Sequence, residues 1–268
     1  MEFAVNQYSI DDLLYLMARL RDPESGCPWD IKQDYASIAP STLEEAYEVV
    51  DAIEKQDFVH LKEELGDLLF QVIFYSQLGK EEHRFEFAGV VSDLVTKLIR
   101  RHPHVFPDGT LQSYIDNRHT LPGDVKARWE AIKQQEREAK GAQGLLADIP
   151  LNLPALSRAA KLQKRAASVG FDWDDVYGPI AKVREELLEV EAELDSGDHQ
   201  ALEEELGDLL FAVVNIARYM KVDPEQALRR ANQKFEQRFG FIEENVSRPL
   251  EETSIDEMNR LWDLAKIS

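Results

Sequence analysis

A ten-residue segment of this chain occurs twice, and the duplication constrains the fold more than any other feature. Residues 61–70 (LKEELGDLLF) return as residues 202–211 (LEEELGDLLF). An acidic segment precedes each copy, Leu43-Glu44-Glu45-Ala46-Tyr47-Glu48 in the first and Arg184-Glu185-Glu186-Leu187-Leu188-Glu189 in the second. Glu45 precedes Glu64 by 19 positions, Glu186 precedes Glu205 by the same 19, and a shift of 141 positions overlays the two sets. Trp29-Asp30 and Trp173-Asp174 come before the acids at a slightly different offset. Trp129-Glu130-Ala131-Ile132-Lys133 and Trp262-Asp263-Leu264-Ala265-Lys266 follow them. The repeat is therefore a whole domain of about 110–130 residues and not a short solenoid unit.

The 268 residues suit two such domains, and a hydrophobic content of 44% suffices for packed cores. The sequence predicts an N-terminal domain over 1–137, a linker over 138–154 with Gly141, Gly144, Pro150 and Pro154, and a C-terminal domain over 155–268. Apolar residues recur at helical spacing, as in Ile10, Leu13, Leu14, Met17 and Leu20. Further helices are expected at 61–78, 87–101, 154–168, 179–194, 199–220 and 224–239. Ser41-Thr42 ahead of Glu44-Glu45 reads as another helix start. Sustained two-residue alternation is absent, so the expected fold is all-α, two tandem four-helix-bundle domains.

A formal charge of −20 and the lack of a long Lys/Arg run argue against a nucleic-acid partner. No apolar run reaches the roughly 18 residues of a membrane span. The N-terminus lacks the basic start and apolar stretch of a signal peptide, and Cys27 has no second cysteine to pair with. These features predict a cytoplasmic protein.

Residues three apart on a helix share a face. Glu186 and Glu189 then point one way, as do Glu205 and Asp208, and antiparallel packing brings the pairs together. Carboxylates 4 Å apart repel by roughly 4 kcal/mol per pair at an effective dielectric near 20. A cation, or protonation, must offset that. With no His or Cys read as near the acids, an all-oxygen set favours Mg²⁺, with Mn²⁺ as a substitute. The competing reading is a solvated acidic helix face, but the acids border apolar runs such as Leu209-Leu210-Phe211 and their spacing repeats. Gly66 and Gly207, each inside a repeated word, point either to close approach by a helix or ligand or to eased helix packing.

Glu185-Glu186-Leu187-Leu188-Glu189 followed by Glu205-Leu206-Gly207-Asp208 resembles the EExxE…ExxD signature of the MazG nucleoside triphosphate pyrophosphohydrolases, in the all-α NTP pyrophosphatase superfamily. Cys27-Pro28-Trp29-Asp30, Arg101-His102-Pro103-His104-Val105-Phe106, Val169-Gly170-Phe171-Asp172-Trp173 and Lys234-Phe235-Glu236-Gln237-Arg238 extend the resemblance over nearly the whole chain. It implies Mg²⁺-dependent hydrolysis of nucleoside triphosphates to monophosphate and pyrophosphate, broad base tolerance and a homodimer. It also implies that Glu186, Glu189, Glu205 and Asp208 hold the metal and carry the catalysis. Lys182, one turn before Glu186, reaches phosphates from the same helix. Lys234 and Arg238 form an i, i+4 cationic pair suited to a triphosphate. Glu185 and Glu204 are surplus acids, able to orient water or a ribose hydroxyl, although solvation explains either. Trp262 is a stacking platform for a base or a core residue.

Both halves keep four acids, Glu45, Glu48, Glu64 and Asp67 being the first set. Asn215 aligns with Phe74, and only the amide offers hydrogen bonds to a base or sugar. The first half also carries His102-Pro103-His104 where the second has Gly240. The C-terminal half is thus the expected active site. Di-iron bundles need Glu-x-x-His pairs and His-Asp phosphohydrolases a His-Asp dipeptide, and neither occurs. A Nudix reading lacks its downstream glycine and mixed α/β surroundings. The remaining alternative is a non-catalytic helical dimerisation or interaction protein with a structural metal cluster.

Overall fold

The computed structural model describes residues 7–114 and 144–267, together with 125, 128, 129, 131–133, 135 and 136. It divides into two compact units, Met1–Gln134 and Gln135–Ser268. Among the described residues every regular element is a helix, as the sequence predicts.

The first unit contains α1 (Ile10–Leu20), the single turn α2 (Pro28–Ile31), α3 (Tyr35–Glu54), α4 (Phe58–Glu81) and α5 (Phe87–Arg101). Ser9 and Asp12 cap α1 reciprocally. α3 starts well before Ser41, correcting the expected boundary. Asp34 and Ser37 form a capping box there, and the helix continues through Pro40 in its second turn. α3 and α4 run antiparallel, since Thr42 bonds Tyr75 at 2.8 Å near one end while Glu48 meets Glu64 near the other. Met17, Ile38, Ile73, Phe74 and Leu78 close the core between α1, α3 and α4.

The second unit contains α6 (Ala155–Ala167), α7 (Tyr177–Ser196), α8 (His199–Tyr219), α9 (Pro224–Asn245), a 3₁₀ turn (Leu250–Glu252) and α10 (Ile255–Ala265). α9 runs past the expected end at Phe239, through Gly240 to Asn245. The α7–α8 hairpin repeats the α3–α4 hairpin in detail. Asp198 caps α8 by accepting from the Gln200 and Ala201 amides, as Asp57 caps α4 by accepting from those of Val59 and His60. The residue before each cap is left-handed, Gly197 at φ +73 and Gln56 at φ +56.

Within the predicted linker, residues 138–143 lie outside the described residues. The rest packs on the second unit: Ile149 is buried, and Arg165 on α6 donates to the Leu145 carbonyl and pairs with Asp148.

Candidate active site

α7 and α8 bring the second acidic set together. One carboxylate oxygen from each of Glu186, Glu205 and Asp208 lies within 4.8 Å of the other two. Burial at Glu186 is deep, 4% exposed, because α8 covers that face of α7. Its Oε1 receives the Lys182 ammonium at 2.6 Å, and Lys182 also bonds Glu185 at 2.8 Å. Glu185 and Glu186 together push the Lys182 pKa up, and Lys182 holds that of Glu186 below its ordinary value. Oε2 of Glu186 is buried with no hydrogen-bond donor. Glu189 stands beside it, and that contact, burial and the Glu186 charge push the Glu189 pKa up.

This arrangement fits a divalent cation. Three oxygen donors converge, one buried carboxylate oxygen lacks a partner, and crowded negative charge raises Glu189. Glu186, Glu205 and Asp208 would hold the ion, with Glu189 alongside.

The first unit repeats the cluster with a different triad. Oxygens of Glu45, Glu48 and Glu64 lie within 4.8 Å, while Asp67 stays outside the triad as a charge neighbour of Glu45. Burial and the surrounding acids push Glu45 up, and burial pushes Glu64 up. Here the expectation of no nearby histidine fails. His60 Nε2 lies 2.9 Å from Glu64 Oε1, because residues four apart on α4 share a face.

Beside Lys182, Glu186 and Asp208 opens a cavity of about 720 Å³. α6 contributes Leu162 and Gln163, α8 contributes Phe211, Asn215 and Arg218, and the 170–173 loop contributes Phe171, Asp172 and Trp173. Gln163 is 7% exposed; its Nε2 donates to the Phe211 carbonyl at 2.8 Å, and its Oε1 is buried without a donor. Arg218 forks onto Asp172 and holds the Asp172 pKa low. In the first unit the position of Asn215 belongs to Phe74, 1% exposed and packed in the core. A buried aromatic ring thus stands where the second unit has a cavity wall.

The other predicted site residues lie outside the cavity wall. Glu185 is tied to Lys182, and Glu204 accepts from Gln200 at 3.2 Å. Lys234 is exposed on α9. The Arg238 guanidinium sits 5.5 Å from the centre of the Trp262 ring, which also meets Phe235 at 5.3 Å. Gly66 and Gly207 are uncrowded, since nothing lies within 4 Å of the Cβ either would carry, so approach by another helix of the same unit does not explain them. Sequence reading gave no role to Gln163, Phe211, Asp172 or Arg218. The available signal was Val169-Gly170-Phe171-Asp172-Trp173, and an arginine one turn beyond Asn215.

The model of the MazG nucleotide pyrophosphohydrolase domain matches residues 33–106 and again 179–240, enclosing both carboxylate clusters. A nucleoside triphosphate pyrophosphohydrolase of Escherichia coli K12 is 51% identical over 262 residues, 96% of this chain and 97% of that one. A Thermotoga maritima protein named nucleoside triphosphate pyrophosphohydrolase/pyrophosphatase MazG is 42% identical over 96% of this chain and 95% of its own. A Mycobacterium tuberculosis nucleoside triphosphate pyrophosphohydrolase is 32% identical over 59% of this chain and 45% of its own.

Proposed function

Because the chain belongs to the MazG nucleotide pyrophosphohydrolase domain family and carries that domain twice, we propose that it hydrolyses nucleoside and deoxynucleoside triphosphates to monophosphate and pyrophosphate at its second unit. The observation that carries this reading is the junction of a carboxylate triad, a lysine and a nucleoside-sized cavity at one place. Phosphate chemistry belongs at the acids, and the sugar and base extend past Asp208 along α8 toward Asn215. Water attacks the α-phosphorus, the bond to the bridging oxygen of the β-phosphate breaks, and pyrophosphate leaves.

Glu186, Glu205 and Asp208 are suited to Mg²⁺, with Mn²⁺ as a substitute, and such an ion supplies charge neutralisation and a more acidic water when bound. Lys182 offsets charge on the same side and keeps Glu186 ionised. Lys234 and Arg238 remain candidates for the outer phosphates, and Trp262 for a stacking contact that tolerates many bases. Aromatic Phe171, Trp173 and Phe211 give the cavity similarly indifferent walls. Exposed Leu187, Leu188, Leu206 and Leu210 on α7 and α8 support a homodimer. A cytoplasmic role in cleansing nucleotide pools or controlling them under stress follows from the same reaction.

The first unit keeps a cation-ready cluster with Phe74 buried at the position of Asn215. That observation favours a dimerisation or regulatory part for it, with a structural metal.

Incubation with each triphosphate and Mg²⁺, followed by separation of the phosphate species, tests the reading. Monophosphate and pyrophosphate in equal amounts are expected, abolished in Glu189→Ala and mostly retained in Glu48→Ala. Diphosphate with orthophosphate, or the reverse order of the two variants, defeats it.

A further inference from the structure

One polar wall of the cavity has an orientation fixed by chemistry. Arg218 Nε donates to Asn215 Oδ1 at 2.9 Å, from one turn further along α8. Arginine has only donors, so the atom it meets is the amide oxygen, and the amide nitrogen is turned away from it. The rest of the guanidinium is committed as well. Nη1 donates to Asp172 Oδ2 at 3.1 Å, and Nη2 donates to Asp172 Oδ1. The Arg218 side chain is 15% exposed and its bond to Asn215 is partly buried, whereas Asp172 keeps 30% of its side chain exposed. Asp172 sits in the cavity-lining loop, which is fastened twice more. Tyr219 donates to the Asp174 carbonyl at 3.1 Å, and the Trp173 ring lies so close to Gly178 that a Cβ there would stand 2.5 Å from Cε3.

Resting on the nucleotide reading of this site, we propose that Arg218 is a positioning residue for base selection. It locks Asn215 as a hydrogen-bond donor toward the cavity, so a base that presents a carbonyl at its sugar-distal edge binds better than one that presents an amino group. Asn215 lies seven residues beyond Asp208 on the same helix face, roughly 10 Å at 1.5 Å per residue, which places it at the far end of a nucleoside whose phosphates lie at the acids. A carbonyl there accepts from the amide. An amino group sets donor against donor and leaves both desolvated and unpaired. Arg218 touches no substrate atom in this account; it acts through Asn215.

The test is calorimetric binding of the non-hydrolysable α,β-imido analogues of UTP and CTP, with Mg²⁺, to the full chain. The two share a ring and differ by carbonyl against amino at C4. The unaltered chain should favour the uridine analogue by roughly tenfold, the scale of one hydrogen bond gained or lost. Arg218→Met frees the amide to turn and should bring the ratio close to one. Asn215→Asp keeps the bond to Arg218 but offers the cavity only oxygen, and should reverse the order. A ratio unmoved by both Arg218→Met and Asn215→Asp overturns the proposal, as does equal affinity or no binding in the unaltered chain. Asn215→Asp retains the Arg218–Asp172 ion pair, so a folded variant is available even if Arg218→Met melts. Binding is read without turnover. The stated ratios without pyrophosphate release would sink the hydrolase reading alone, whereas turnover with unmoved ratios would sink this one alone.

Discussion

Lys182 places its Nζ 2.6 Å from Oε1 of Glu186, one turn ahead of it on the same helix. Position 182 corresponds to Ser41 in the first unit, where the group one turn ahead of a buried acid is instead the His60 imidazole, 2.9 Å from Glu64 on the other acidic helix. The duplicated domains have kept the acids and changed the side chain that partners the buried one. A lysine raised above 10.5 stays charged through the physiological range. Its contribution to stability is whole below that unfolded value and is lost only as pH rises through the folded one. Lys182→Met should therefore lower kcat/KM for any triphosphate by roughly a hundredfold, the scale of one lost charge-stabilising donor. Steady-state kinetics between pH 6 and 9 checks this. A loss of less than threefold would show that Lys182 serves Glu186 structurally and not the phosphates.

Asn215 and Phe74 occupy equivalent positions with opposite consequences. Asn215→Phe should fill the second cavity, raising KM at least tenfold with little change in melting temperature, since the 720 Å³ space accepts the ring. Phe74→Ala should cost about 3–5 kcal/mol in denaturant unfolding of the first unit, as for other buried Phe truncations, and leave pyrophosphate release nearly unchanged. Turnover lost with Phe74→Ala at a temperature where the second unit stays folded would give the first unit a direct part in catalysis.

The contrast between these two residues also marks what the sequence could reveal. The repeat spacing and helical periodicity showed two all-α domains, and the same spacing picked Glu186, Glu189, Glu205 and Asp208, because helix geometry turns sequence offsets into shared faces. Of these the structure groups all but Glu189 in one triad. Asn215 was legible as a polar substitution inside an apolar run. Gln163 was not, since it reaches the cavity from another helix and only tertiary packing brings such segments together; Asp172 was visible as part of the 169–173 motif, but its bond to Arg218 was not. The start of α3 was misplaced because Ser41 and Thr42 look like caps, while the reciprocal Asp34–Ser37 pair sits one turn before Pro40 and dominates locally.

Gln56 and Gly197 precede equivalent helix caps, and both are left-handed. Glycine adopts that conformation without steric penalty, whereas a side chain adds about 1 kcal/mol or more of strain. Gln56→Gly should therefore stabilise the first unit by roughly 1 kcal/mol in urea unfolding, less the extra entropy glycine gains in the unfolded chain. A destabilisation would mean that the Gln56 side chain makes a compensating contact.

Three carboxyls of the two clusters are raised above their ordinary value of 4.5: Glu45 and Glu64 chiefly by burial, and Glu189 chiefly by its contact with Glu186. A raised carboxyl binds its proton more tightly in the folded state. Between the unfolded and folded values the folded chain then holds more protons, and stability falls as pH rises. Above the folded values the full penalty applies. Glu186 works the other way: Lys182 lowers it, so its contribution is present above 4.5 and lost as pH falls through the folded value. The metal-stripped chain should therefore lose stability from the three raised groups as pH rises from 4.5 through their folded values. A divalent cation competes with those protons and needs the ionised carboxylates, so it should restore more at the higher pH. The expected result of differential scanning calorimetry is a Mg²⁺-induced rise in melting temperature that grows as pH rises above 4.5 and is removed by EDTA. Glu186→Gln should shrink that rise in the transition of the second unit and leave the transition of the first unit unaffected. A Mg²⁺ shift independent of pH, or one untouched by Glu186→Gln, would mean that the ion binds elsewhere on this acidic surface.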